Sequence, residues 1–186
     1  LMVLGHLGTM VSFISSSAAS AKRIYEVLDE EPAVTDAPHA VPLQAPAHHI
    51  AMEDVVFSYD GHEHEPVLQD VDLTLQRGQM VALLGSTGSG KTSLTSLLPR
   101  FYDVQEGQVA VNQTDVRDLK LHSLRGEMGI VPQETVLFTG TIRDNIRYGR
   151  PDASDDEVIA AARAAQAHDF ILSFPEGYDT QLGQRG

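Results

Sequence analysis

The 186-residue chain has 26 Asp and Glu against 13 Lys and Arg, a formal net charge of −13, which argues against a nucleic-acid binder held by phosphate neutralisation. It has no cysteine, so disulfides, thiolate metal sites and cysteine nucleophiles are excluded. Apolar residues make up 42% and charged residues 21%, an ordinary composition for one folded domain with an appendage.

In chain order, residues 1–14 are apolar but shorter than the roughly 20 residues a bilayer span needs, and no basic stretch precedes them as in a secretory signal. Leu4, Leu7, Val11, Ile14, Ala18, Ala21, Tyr25 and Leu28 follow at steps of three and four, one stripe on a continuous helix. Lys22 and Arg23 come after the apolar part, where a membrane helix would leave on the cytoplasmic side. A soluble amphipathic or coiled-coil helix fits the same pattern. Glu30-Glu31-Pro32 ends the helix, and Pro32, Pro38, Pro42 and Pro46 mark residues 32–48 as an extended linker.

A domain begins near His49. Ile50, Met52, Val55 and Phe57 alternate imperfectly; Val71, Leu73 and Leu75 alternate cleanly with polar neighbours and predict a half-buried strand. Between them, His62-Glu63-His64 reads as a solvated acidic loop, since no third metal ligand stands at a recognisable spacing. Met80 to Leu84 is a continuous apolar run that suits a strand covered on both faces. A glycine-rich loop and then a helix from Thr92 to about Leu98 follow it. Strands are predicted over Gly107–Val111 and Met128–Val131, the latter short and buried, with a short helix over residues 119–126 between them. Ser154 with Glu157 forms a capping-box pattern, opening an Ala-rich helix to about Ala167. Both ends of the sequence read as cut, so we expect a fragment.

Gly85-Ser86-Thr87-Gly88-Ser89-Gly90-Lys91-Thr92 fits G-x-x-x-x-G-K-[ST] in full. Glycines allow left-handed angles and close approach, so that successive N–H groups can face phosphate oxygens. The following helix adds its positive end. Lys91 supplies a compact charge for the β- and γ-phosphates, and the Thr92 hydroxyl is a hard oxygen ligand for Mg²⁺. The motif by itself defines a nucleotide binder, a class that includes kinases, GTPases and motor ATPases.

Further residues narrow the class. Val56-Phe57-Ser58-Tyr59 precedes the loop, and Val131-Pro132-Gln133-Glu134 follows it. Leu137-Phe138-Thr139-Gly140-Thr141-Ile142 and Asp144-Asn145-Ile146 come next. In order and spacing this closely resembles the nucleotide-binding domain of ATP-binding cassette exporters, over essentially the whole chain. The resemblance implies an α/β fold: a P-loop NTPase core with an antiparallel β subdomain, incomplete at the C-terminus and preceded by an N-terminal helix. It implies three parts: residues 1–31 as the end of the last transmembrane helix and its cytoplasmic extension, 32–48 as linker, and 49–186 as a partial nucleotide-binding domain. Ala21-Lys22-Arg23-Ile24-Tyr25-Glu26 looks like the exit of that helix.

By the same resemblance, ATP and Mg²⁺ are the ligands. Tyr59 stacks on adenine, Val67 contacts the base, and Ser93 contacts the α-phosphate. Lys91 and Gln133 carry the catalytic roles. Gln133 would contact Mg²⁺ and water and report the γ-phosphate to the membrane domain; an amide does this without titrating. Glu134, Thr135 and Phe138 would meet the coupling helices of the transmembrane domain. Further implied partners are a second nucleotide-binding domain and the membrane, through the N-terminal helix, with the cassette on the cytoplasmic side. Tyr178 to Gly186 resembles the segment before the signature sequence, with Gln184 where the family usually has an acidic residue; Gln113, at a common turn glycine, reads as neutral. The signature LSGGQ, the Mg²⁺-supporting aspartate, the catalytic glutamate and the switch histidine are missing from these residues. The chain alone is therefore expected to bind nucleotide weakly without hydrolysing it, while the protein it comes from hydrolyses ATP. A soluble P-loop ATPase or kinase, and a degenerate non-hydrolysing cassette of a heterodimeric transporter, stay open as alternatives.

Overall fold

The computed structural model describes residues 16–44, 46–59, 66–134 and 136–183. The chain divides into two compact units, residues 1–129 and 130–186.

In the first unit, residues 16–28 form helix α1, exposed along its length, with a Lys22–Glu26 ion pair at 3.8 Å. Tyr25 and Leu28, the described end of the apolar stripe, are 60% and 70% exposed. The start of the stripe lies outside the described residues, as do His62-Glu63-His64, Thr135 and Gln184. Among the described residues no helix is long and apolar enough to cross a membrane.

The proline-rich segment is extended but pinned rather than free. Leu121 N–H donates to Asp36 at 2.8 Å and Leu43 N–H to Ser123 Oγ at 2.9 Å, while Val41 makes a parallel bridge with Leu119. Leu43 and Ala47 pack against the core.

Four strands form an antiparallel sheet in the order β2-β1-β3-β4: β1 (His49–Phe57), β2 (Leu68–Gln76), β3 (Glu106–Val111) and β4 (Thr114–Asp115). The clean alternation of Val71, Leu73 and Leu75 is the half-buried face of β2. The broken alternation of β1 has a cause. Its register shifts between Met52 and Val55 against β2, and Asp54 there takes φ 49°. Gly107 of β3 meets this bulge at φ 75°, where a Cβ would stand 2.3 Å from the carbonyl oxygens of Glu53 and Asp54. Only glycine fits so close a backbone. Met52, Val55, Phe57, Val109 and Val111 from the sheet then join Leu97 and Leu124 in one buried cluster.

Leu97 comes from α2 (Lys91–Leu97) and Leu124 from α3 (Leu121–Gly126). Arg100 ends α2 at φ 52°, with Phe101 N–H returning to Ser96 O and Arg100 N–H to Leu97 O, each at 3.0 Å, a left-handed helix cap. Arg125 braces the turn just beyond, donating from Nε to Pro99 O at 2.9 Å and from Nη2 to Arg100 O at 2.8 Å. The buried Arg100 pairs with Asp103 at 2.7 Å, which holds its pKa above the ordinary arginine value.

β3 and β4 are joined by Asn112 and Gln113, both at positive φ, 50° and 68°. This is the two-residue turn whose twist matches a hairpin. Gln113 therefore occupies a left-handed position that disfavours a side chain, so the substitution is a cost and not neutral.

Two apolar runs depart from the expected strands. Met80–Leu84 is not a strand; Met80 is 99% and Leu84 93% exposed. Across Met128–Val131 no strand forms either, and Val131 is 96% exposed. A strand needs neighbouring strands for its backbone and a layer packed on the sheet for its apolar side chains, and none of the described strands pairs with either run.

The second unit is mainly helical. Gly140–Thr141 (β5) pairs antiparallel with Gln181–Leu182 (β6) beside α4 (Ile142–Arg147), α5 (Asp155–Ala164) and α6 (His168–Leu172). Both α4 and α5 begin with full capping boxes, Thr141 with Asp144 and Ser154 with Glu157. The Ala-rich helix stops at Ala164, short of Ala167, because Gln166 turns to φ 57° and Ala167 N–H returns to Ala162 O at 2.9 Å. Val158, Ala162, Ile171 and Tyr178 form the core, joined by Ile142 and Ile146.

Candidate functional site

The glycine-rich loop leads into α2, and its glycines are required by geometry. Gly90 precedes the first helical residue at φ 83°; a Cβ there would meet Leu68 Cδ2 at 2.7 Å and Val67 O at 3.1 Å. Gly88 also takes a left-handed angle, φ 84°. A Cβ on Gly85 would approach Ser89 Oγ to 2.5 Å.

Lys91 folds back over this loop. Its ammonium donates to Gly85 O at 2.9 Å, Ser86 O at 2.6 Å and Ser89 Oγ at 3.3 Å. One compact cation is thus centred on the loop by loop oxygens, which anionic oxygens can replace at little reorganisation. Thr92 is exposed on the next position, and its carbonyl accepts from Thr95 Oγ1 at 2.9 Å and Ser96 Oγ at 2.8 Å. Ser86, Thr87 and Ser89 are exposed along the loop.

Tyr59 is brought to the same helix. Its hydroxyl lies 2.8 Å from Ser93 Oγ, and Ser93 is only 5% exposed whereas Tyr59 is 50% exposed. The ring of Tyr59 packs edge-on against Phe57 at 4.9 Å and Tyr102 at 5.1 Å. Val67 is held beside the loop: its N–H donates to Phe57 O at 2.7 Å, and its carbonyl borders Gly90. Tyr59 and Val67 therefore gather in one unit with Gly90, Lys91 and Ser93, which come later in the sequence. Their common features are an exposed aromatic, a cation and close-approach glycines, the components a nucleotide requires.

Gln133 belongs to the second unit, as an exposed side chain on a bend. In the segment after it, Asn145 clamps the backbone: Phe138 N–H donates to Asn145 Oδ1 at 2.8 Å, and Asn145 Nδ2 donates to Phe138 O and Thr141 O, each at 2.9 Å. Phe138 stacks on Tyr148 at 4.2 Å and both remain exposed. Phe57 and Tyr102 escaped the sequence reading as partners of Tyr59. Phe57 looked like a core residue, which it also is, and Tyr102 belongs to no motif. Among the described residues no cluster of three or more His, Cys, Asp or Glu could hold a metal ion.

The ABC transporter family profile matches residues 68–183. The chain is 45% identical over 173 residues to the ATP-dependent lipid A-core flippase of Syntrophus aciditrophicus (strain SB), covering 93% of this chain and 28% of the flippase. It is 47% identical over 186 residues to ATP-binding cassette sub-family B member 6 of Mus musculus, covering 22% of that protein. A solved structure of a bacterial Atm1-family ABC exporter with ATP bound aligns with a TM-score of 0.84 and 37% identity, over 96% of this chain and 31% of that one. The chain thus spans less than a third of each of these relatives.

Proposed function

The chain belongs to the ABC transporter family, and on that footing we propose that it is the ATP-binding part of an exporter that couples ATP binding and hydrolysis to transport across a membrane. The observation that carries the reading is the Lys91 ammonium centred on the Gly85–Ser89 loop, with Tyr59 and Ser93 gathered at the same helix. In this reading the β- and γ-phosphates take the place of the loop oxygens on Lys91, Tyr59 and Val67 receive the base, and Ser93 meets the α-phosphate.

Mg²⁺ fits the donor chemistry. Thr92 offers an exposed hydroxyl oxygen, and this small cation, reluctant to shed water, is commonly held by a few protein oxygens together with phosphates. When bound, it would neutralise charge on the phosphate oxygens. Phosphoryl transfer is mainly positioning and charge neutralisation with a group to orient water. The sequence of these 186 residues contains positioning groups but no LSGGQ stretch. By itself the chain therefore binds nucleotide without turning it over, and a second cassette completes the site.

Gln133 reports nucleotide state to the membrane domain. That role rests on its sequence context and on the Asn145-clamped segment after it, whose exposed Phe138 suits contact with coupling helices. The protein works at a membrane, through the helix to which α1 belongs, with the cassette on the cytoplasmic side.

The experiment is Lys91→Ala in the full-length protein, measuring ATP affinity, ATPase rate and transport. Loss of the one compact cation facing the β- and γ-phosphates should remove turnover. ATPase and transport persisting at the unsubstituted rate would reject the site. In the same assay, Gln133→Ala should lower turnover and its stimulation by substrate while ATP affinity stays nearly level; a collapse of affinity alone would make Gln133 a binding residue.

A further inference from the structure

Tyr59 and Ser93 were given separate tasks above, one at the base and one at the α-phosphate. Their hydroxyls nevertheless stand 2.8 Å apart across 34 residues of sequence. Ser93 is nearly buried, so its hydroxyl is not a free rotor in solvent. Tyr59 is restrained as well, with its ring edge-on to Phe57 and Tyr102. Tyr102 in turn follows the turn that Arg100–Asp103 and Arg125 hold in place.

A serine hydroxyl has one proton to give and two lone pairs to accept with, and a phenol is the more acidic of the two groups. We propose that Tyr59 donates to Ser93 Oγ and so leaves the single proton of Ser93 for an anionic phosphate oxygen. Tyr59 is then a positioning residue for the phosphate end, through Ser93, as well as a platform for the base. No bond is made or broken; only the direction of two hydroxyl protons is set. Without the phenol, the Ser93 proton can turn back to a helix carbonyl, the usual alternative for serine inside a helix. This inference rests on the proposed nucleotide site and adds to it a link between its two ends.

The test is a double-mutant cycle in the full-length protein with Tyr59→Phe, Ser93→Ala and the pair, reading affinity for ATP and for inorganic triphosphate, which has no base. Phenylalanine keeps the ring, and both changes are small enough to preserve the fold, which a thermal melt checks. Tyr59→Phe should weaken both ligands about two- to tenfold when Ser93 is present, the worth of one hydrogen bond, and add nothing in the Ser93→Ala background. Unchanged affinities in Tyr59→Phe, or equal losses in both backgrounds, would overturn the link. Tyr59→Ala separates the two claims: it should weaken ATP more than triphosphate. An unchanged ratio would remove the base-stacking role while leaving the cycle to decide the link.

Discussion

The two units of this chain are built by different means. In the first, neighbours in space are distant in sequence: β1 pairs with β2 about twenty residues on and with β3 about sixty on, and Arg125 braces the turn that follows α2. In the second, the helix starts and the Phe138 segment are fixed locally, Thr141 with Asp144, Ser154 with Glu157 and Asn145 with Phe138, and the short β5–β6 pair is the long-range exception. The glycine-rich loop, Tyr59 and Ser93, the core of the proposed nucleotide site, lie in the first unit, where a sheet and a buried core stand behind them. Local hydrogen bonding starts helices reliably, but only packing across the fold fixes Tyr59 on Ser93.

The sharpest way to test this contrast is to empty the core. Met52 is 1% exposed at the centre of the sheet, and Met52→Ala should cost about 2–5 kcal/mol in a denaturant titration. Val158→Ala in the helical unit removes less volume and should cost clearly less. A larger loss from Val158 would mean that the second unit is the more tightly packed.

An intermediate effect is expected from the caps. Ser154→Ala should cost about 1 kcal/mol, the usual worth of a helix N-cap. Glu157 is held below its ordinary pKa first by the Ser154 backbone, then by the Ser154 hydroxyl and Arg150; Asp144 is lowered first by the Thr141 backbone and then by the Thr141 hydroxyl. Carboxylates depressed on folding contribute stability above their unfolded pKa and lose it as pH falls through the folded one. Amides of α4 and α5 should therefore begin to fray below about pH 4. Helix α2 of the first unit, which starts after Gly90 with no acidic residue in its first turn, should hold to lower pH. Hydrogen exchange or NMR across that range reads it, and simultaneous fraying in both units would break the comparison.

Smallest is Gln113→Gly, which should stabilise the first unit by about 0.5–1 kcal/mol by relieving a left-handed side chain. A higher unfolding midpoint at unchanged slope is the expected result, and no gain would show that Gln113 compensates its strain.

These differences also explain what the sequence displayed. The phosphate loop was legible because its chemistry is contiguous, and the Ser154 box because its two partners are three residues apart. The uneven alternation of β1 was visible, but the bulge behind it, and the Gly107 that fits against it about fifty residues on, were not. Tyr102 and the Tyr59–Ser93 bond left no signal, since each depends on a tertiary approach. The run Met80–Leu84 misled for the same reason: its composition states a capacity for burial, while burial itself needs neighbouring strands and a layer packed on the sheet.

That run has a practical side. Met80 and Leu84 stand almost fully in solvent on backbone that no described strand pairs with, and Val131 does so in the other unit. Such stretches let one molecule serve as a template for the next. What keeps molecules apart is the net charge of −13, whose repulsion reaches about 10 Å at 0.1 M salt and only about 3 Å at 1 M. The purified chain is therefore expected to self-associate more readily as salt is raised at fixed concentration, which light scattering beside a far-UV spectrum reads.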